Sequence, residues 1–299
     1  MEGKGHIPVL LNEVLDYLDG DEEGVFVDCT LGLGGHAKEI LTKHPKSSLI
    51  GLDIDEISLM KARENLDPFR ERVTLYHSDF RYLPDLNLDF QKIRGVLIDL
   101  GISSFQLDSP ERGFSYNQDG PLDMRMDLRN KYSAFKIINK SSENQLNKIF
   151  FEYGEIRQAR KLAREIASRR KINKIETTTQ LRRIVEEVCR WRPQKGKIHP
   201  AAKLFLALRI EVNQELKGLD DFLEKILHKL QEGSRIVVIS FHSLEDRIIK
   251  RAFVRMASSE NSPPCLKVLT KKPVVASREE VVSNFRARSA KLRAAEVVH

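Results

Sequence analysis

Cysteine is scarce in this 299-residue chain: Cys29, Cys189 and Cys265 are far apart. Three such thiols are too few for a disulfide scaffold and wrongly spaced for a zinc site, so no metal site is expected. No apolar run approaches the roughly 20 residues a membrane span needs. Met1–His6 has neither the charged nor the apolar region of a secretory leader. The expectation is a protein of the reducing cytoplasm with no membrane partner. Internal repeats and low-complexity tracts are also missing. What is left is a charged globular chain, long enough for one large domain or two ordinary ones.

Charge is present in quantity, and unevenly. The formal net charge is +7, yet Glu111–Ile210 alone holds 23 Lys/Arg against 11 Asp/Glu, a local +12 in a frame of −5. A basic module in a mildly acidic frame suits a polyanionic partner. The alternative is a solvated Lys/Arg-rich helical surface, or a face used as a homodimer interface.

The first half alternates strand and helix. Apolar runs at Val25–Asp28, Leu49–Asp53, Val73–His77 and Gly95–Leu100 read as strands. Pro8–Tyr17, Ala37–Thr42 and Ile57–Leu66 read as helices. This order implies parallel strands with crossover helices. Asp108–Met126, rich in Gly, Pro, Asp and Ser, reads as an irregular loop. From Ala134 to about Ile210 the period is helical, with Glu155–Arg170 as one amphipathic helix and Thr177–Thr179 as an N-cap candidate. Helices are also expected at Pro200–Leu216, Leu219–Leu230 and Leu244–Met256, and a strand at Arg235–Phe241. Leu266–Leu269 and Ala290–Ala294 form an expected antiparallel pair around a mobile basic loop. The expected fold is a Rossmann-like α/β sheet, residues 1–110 and 211–299, interrupted by an inserted all-helical substrate-recognition domain at 111–210.

The chemistry gathers at the strand ends. Val25–Asp28 runs straight into Gly32-Leu33-Gly34-Gly35-His36-Ala37, a formal G-x-G-x-x-(G/A) match. Asp53 follows at the tip of the second strand, where a carboxylate accepts hydrogen bonds from ribose hydroxyls. An adenosine-containing cofactor is implied. The glycine loop alone fits a dinucleotide, an S-adenosylmethionine or a purely structural turn. Asp79-Phe80 past the third strand favours the methyl donor: the carboxylate or nearby backbone suits an adenine amine, and Phe80 suits its ring. Capping and core packing are the competing roles. Asp28, Asp53, Asp79 and Asp99 thus stand at successive strand tips, where open α/β sheets collect ligands.

With these residues in view, the chain resembles the bacterial small-subunit rRNA cytosine-N4-methyltransferase (H-type, MraW) family over nearly its whole length. The resemblance rests on His6–Val14, Asp28–His36, Leu52–Asp55, Leu97–Asp108, Glu111–Tyr116, Gly120–Met126, His199–Lys203, Leu208–Asn213, Ser240–Asp246 and Asn284–Glu296. It implies a class I S-adenosylmethionine-dependent methyltransferase sheet with an inserted all-helical domain. It implies methylation of a cytidine N4 in the decoding (P-site) region of 16S rRNA, in the 30S subunit or a late assembly intermediate. Carried over by position, Gly34, Gly35 and His36 contact the cofactor, Asp53 holds the ribose, Phe80 lies by the adenine, and Asp99 and Gln106 complete the pocket.

Cytosine N4 is a poor nucleophile, so the enzyme must align it and accept its hydrogens. Many amino-methyltransferases carry Asp/Asn/Ser-Pro-Pro-aromatic after the fourth strand; this chain has Asp99-Leu-Gly-Ile-Ser-Ser104 instead. Asp99 is the candidate acceptor, with Ser103 and Ser104 as candidate substrate-side groups or turn caps. Phe105, Phe114 and Tyr116 are candidates to stack a splayed-out base. Arg112, Arg125, Lys203 and the cluster Arg286, Arg288, Lys291 and Arg293 are candidate phosphate contacts. His242, past the fifth strand, either faces the pocket or makes a structural hydrogen bond. Three other readings stand beside this one: a NAD-dependent oxidoreductase, a non-catalytic RNA-binding assembly factor, and a DNA amino-methyltransferase.

Overall fold

The computed structural model describes residues 8–18, 23–194, 197–258 and 265–298. His6 and Ile7 of the opening motif, and Met1–His6 as a whole, lie outside them. The chain divides into two compact units. One takes in the described residues up to Gly101 and from Leu216 onward, and the other is Ile102–Glu215. From sequence these borders are expected at 110/111 and 210/211. Asn213 shows why the helical unit extends past Ile210. Its amide donates to Met124 O and accepts from Met126 N, both at 2.8 Å, binding the last helix of that unit to its own loop.

The first unit is built on a sheet of seven strands: β1 (Val25–Asp28), β2 (Ser48–Asp53), β3 (Val73–His77), β4 (Ile93–Asp99), β5 (Arg235–Ser240), β6 (Leu266–Val268) and β7 (Lys291–Val297). Their order is β3-β2-β1-β4-β5-β7-β6. The first five are parallel, and β7 runs antiparallel to both β5 and β6. Helices α1 (Leu11–Leu18), α2 (Gly35–Lys43) and α3 (Glu56–Asn65) belong to this half. Phe26 on one face of β1 packs with Leu10, Ile40 and Leu97, while Val27 on the other belongs with Leu52, Val96 and Phe222. This two-sided burial is why β1, β4 and β5 read as continuous apolar runs. The chain reverses its direction of build between β1 and β4, the switch point where such sheets bind ligands.

The second unit is helical: α4 (Ser104–Asp108), α5 (Ala134–Lys140), α6 (Glu143–Glu152), α7 (Ala159–Arg169), α8 (Thr178–Cys189) and α9 (Pro200–Asn213). Its core includes Leu122, Phe150, Leu162, Ile166, Leu181 and Leu208. The apolar stripe Ile156, Ala159, Leu162, Ala163 and Ile166 is buried as its spacing predicts. The helix itself starts only at Ala159, because Glu155 sits at φ 47° and breaks the run. Thr177 caps α8 in a reciprocal capping box with Gln180.

The first unit then resumes with α10 (Leu219–Leu227), α11 (Ser243–Ala257) and α12 (Arg278–Ser283). The expected mobile basic loop before β7 is instead structured. It holds α12 and a 3-10 turn at Phe285–Ser289, anchored by buried Ala287 and a bridge between Val274 and Leu292.

Candidate functional site

Within the first unit the strand tips converge as the sequence implied. β1 ends in Asp28, and the turn after it leads to Gly34 at φ 81°, the residue that caps α2. A Cβ on Gly34 would lie 3.0 Å from Leu66, and one on Gly35 would lie 2.9 Å from Pro8. The glycines therefore allow both a left-handed turn and a close approach of backbone. Asp53, at the tip of β2, pins the loop: Oδ2 accepts Gly32 N–H at 2.7 Å, and Oδ1 accepts Asp55 N–H at 2.8 Å. The carboxylate keeps acceptor capacity to meet a ligand hydroxyl.

Burial dominates the electrostatics. It lifts the Asp28 carboxyl to about 7 against the opposing bond from Thr30 N–H, with the Asp53 charge adding to the rise. It lifts Asp53 to about 6 in spite of three stabilising backbone bonds, from Asp55, Gly32 and Ile54. Asp99, at the tip of β4, is pushed well above the usual carboxylate range by burial, then by the charges of Asp28 and Glu245. Its Oδ1 is buried and accepts no hydrogen bond among the described residues. Its Oδ2 lies 3.7 Å from His36 Nδ1. His36 Nε2 lies 2.9 Å from Val9 O, which only accepts, so Nε2 carries a hydrogen and Nδ1 of a neutral ring offers a lone pair toward Asp99. That arrangement suits a protonated Asp99. The neighbouring Cys29 thiol is driven up by burial, then by the charges of Asp28 and Asp79, which disfavours its thiolate.

Past β3, Asp79 caps the 3-10 stretch Phe80–Asp85 and is clamped by the Arg81 guanidinium, with Nε 2.8 Å from Oδ1. Arg81 therefore takes up the carboxylate that the sequence offered to an adenine amine. Phe80 is half-buried and meets Phe222 edge-to-face at 4.9 Å. His242 resolves toward structure: it caps α11 in a capping box with the buried Glu245.

The remaining sequence candidates divide by burial. In the helical unit, Ser103 caps α4, and Gln106 Oε1 accepts Ser103 N–H at 3.0 Å, so both groups hold the start of that helix. Ser104 is buried beside them. Arg112 departs from the expected phosphate contact. It is 5 % exposed and donates to Arg125 O and Met126 O, so it staples the loop and meets no phosphate. Arg125 is likewise committed, to Asp123 and to the carbonyls of Leu128 and Asn130. Phe114 is core, and Tyr116 stacks on His199 at 5.2 Å. Phe105 is half-buried, and Lys203 is exposed. In the first unit Arg293 is buried against Asp246 at 2.7 Å, with Lys291 Nζ also on Asp246 at 3.4 Å. Arg286 is half-buried, while exposed Arg288 lies 4.5 Å over the Phe285 ring.

Two features lie outside the site residues singled out from the sequence. Asp28 stands at its strand tip as a member of the site, and its signal is an acid closing an otherwise apolar strand. The aromatic group around His199 joins positions too far apart in sequence to announce themselves. Among the described residues no helix is long and apolar enough to cross a membrane.

The profile of the MraW methylase family matches residues 3–298. The chain is 46% identical over 306 residues to ribosomal RNA small subunit methyltransferase H of Carboxydothermus hydrogenoformans, covering 97% of each chain. It is 46% identical over 298 residues to the protein of that name from Thermotoga neapolitana, covering 98% of this chain and 96% of the relative. A solved rRNA methylase from Streptococcus thermophilus is a distant likeness, 12% identical at a TM-score of 0.40, covering 97% of this chain and 94% of that one.

Proposed function

Because the chain belongs to the MraW methylase family, we propose that it transfers the methyl group of S-adenosyl-L-methionine to N4 of a cytidine in the decoding (P-site) region of 16S rRNA. The substrate is the 30S subunit or a late assembly intermediate, in the cytoplasm. The names of the relatives support the rRNA substrate. The observation that carries the chemistry is Asp99, with a buried, unpartnered Oδ1 at the tip of β4. A buried acceptor left unsatisfied costs about 1–3 kcal/mol, a cost that a substrate N–H relieves.

The residues present fit the cofactor. Gly34 supplies the left-handed turn, at φ 81°, that carries the chain from the tip of β1 into α2, and Asp53 keeps acceptor capacity for ribose hydroxyls. Phe80 offers a half-buried ring for the adenine. When bound, the sulfonium supplies an electrophilic methyl group.

The protein's own task is then alignment and proton handling. The cytosine amine is weak because its lone pair is delocalised into the ring. Accepting one N4–H at the Asp99 carboxylate directs the remaining lone pair outward, and the same carboxylate takes the proton that N-methylation releases. Asp99 must be ionised to do this. A nearby cation and an N–H donor both favour the ionised form and bring its raised pKa back down.

Binding competition between S-adenosylhomocysteine and NAD, followed by transfer of labelled methyl to 30S subunits lacking native modifications, tests the proposal. Tight nucleoside binding with N4-methylcytidine as product is expected. Preference for NAD, or methyl incorporation elsewhere, overturns it.

A further inference from the structure

The helical unit holds a hollow of about 420 Å³ that the proposed chemistry does not use. It is lined by Arg182, Glu186, Trp191, Pro193, Gln194, Lys197 and His199. We propose that this hollow receives one nucleotide of a single-stranded RNA segment, its base stacked on Trp191 and its phosphate held by Arg182 and Lys197. The inference rests on the RNA reading above and names a second place, on the helical unit, where that substrate is held.

Hydrogen bonds and ring contacts position Trp191 and His199 in the wall. Arg190 ends α8 at φ 48°, and Trp191 N–H returns to Glu186 O at 2.9 Å, which sets the indole beside the helix end. His199 caps α9: Nδ1 accepts Ala201 N–H at 3.1 Å, so Nε2 donates to Glu186 Oε1 at 3.0 Å. Tyr116 stacks on the imidazole with an interplanar angle of 17°, and Trp191 meets it edge-on at 5.1 Å. Three aromatic rings thus brace one another, and Trp191 remains half-exposed.

The charges select the ligand. Arg182 Nε donates to Glu186 Oε1 at 2.7 Å, which holds the carboxylate ionised and the guanidinium in place. With Lys197 the lining is net cationic, and Arg183, Arg190 and Arg192 are exposed on the same stretch. A purely apolar ligand has no use for these cations, and an acidic peptide has no use for the indole. A nucleotide uses both: stacking on an aromatic side chain and phosphate on Arg or Lys are the two terms of single-strand binding.

Trp191 is the only tryptophan of the chain, so the intrinsic fluorescence of the intact protein reports on this hollow. Titration with a hexameric cytidine oligoribonucleotide is expected to give saturable quenching, with a midpoint that moves to higher RNA concentration as salt rises. By anisotropy of a labelled oligonucleotide, Trp191→Ala should bind roughly 5-fold or more weakly, from the worth of one base stack. Trp191→Phe should recover most of that loss. Lys197→Glu, at an exposed position, gives the same direction of change if Trp191→Ala does not fold. RNA binding without quenching, no RNA binding, equal quenching by inorganic phosphate alone, or wild-type affinity in Lys197→Glu and Trp191→Ala would each overturn the proposal. Wild-type protein that shows the quench but transfers no methyl defeats the catalytic reading alone. Methyl transfer without the quench defeats the hollow alone.

Discussion

Asp53→Asn separates a ribose-binding carboxylate from one that merely ties a loop. In the folded protein both oxygens accept backbone N–H groups, from Gly32 at 2.7 Å and Asp55 at 2.8 Å. An amide reproduces one of these bonds and presents a donor where the other acceptor was. Burial sets the free carboxyl at about 6. A ligand hydroxyl donates to the ionised form and so pulls this value down on binding. The sign follows: below about pH 6 the site must lose a proton before it binds, and above that it is ready. Affinity for S-adenosylhomocysteine should therefore rise between about pH 5 and 7 and then level off. A hydrogen bond to a charged group is worth about 1.5–3 kcal/mol, and each 1.4 kcal/mol is about tenfold. The Asn variant should bind roughly 10- to 100-fold more weakly near pH 7.5, with a flatter profile. Asp28, at about 7, titrates in the same range, so the measured quantity is the difference between the wild-type and variant profiles by titration calorimetry. Affinity of the variant within about twofold of wild type near pH 7.5 would refute the assignment of Asp53 to the ribose.

Three further outcomes are expected. Asp28→Asn should raise the melting temperature near pH 8, and that advantage should shrink as pH falls through 7 and vanish only near pH 4. The native carboxyl titrates near 7 against 3.8 unfolded, so its ionisation costs the fold stability as pH rises, by at most about 4 kcal/mol. Gly34→Ala should cost about 1–2 kcal/mol for the left-handed backbone, with more for displacing Leu66 at 3.0 Å, and should weaken cofactor binding in the same calorimetric assay. Arg112→Ala should lose roughly 2–4 kcal/mol in urea unfolding, because two carbonyls lose a buried donor. Its affinity for RNA at low temperature should stay near wild type, as befits an interior staple.

The strands of the first unit are legible because they are largely buried on both faces, which leaves mostly apolar runs ended by acids: Val25–Asp28, Ser48–Asp53 and Ile93–Asp99. The acids at these tips stood out because carboxylates are costly to bury without a purpose. The basic loop residues were less legible. Arg112 and Arg125 look like solvated surface in sequence, and only tertiary burial shows that they hold carbonyls in place. Ser103 and Gln106 did carry a signal, the Ser-x-x-Gln spacing of a capping box, beneath the stronger pull of a site beside Asp99. The box at His242 and Glu245 had none, since histidine is an unusual cap. The break before Ala159 depends on a left-handed Glu155 that no propensity foretells.

The central claim is that Asp99 handles the N4 proton during methyl transfer to rRNA. It is tested most directly by single-turnover methylation of unmodified 30S subunits, comparing wild type with Asp99→Asn and identifying the product nucleoside by mass spectrometry. The account predicts N4-methylcytidine from the wild type and a rate about 10²- to 10⁴-fold lower in the variant, with S-adenosylhomocysteine affinity changed far less. Undiminished turnover by the variant, or label on any other atom, would contradict it.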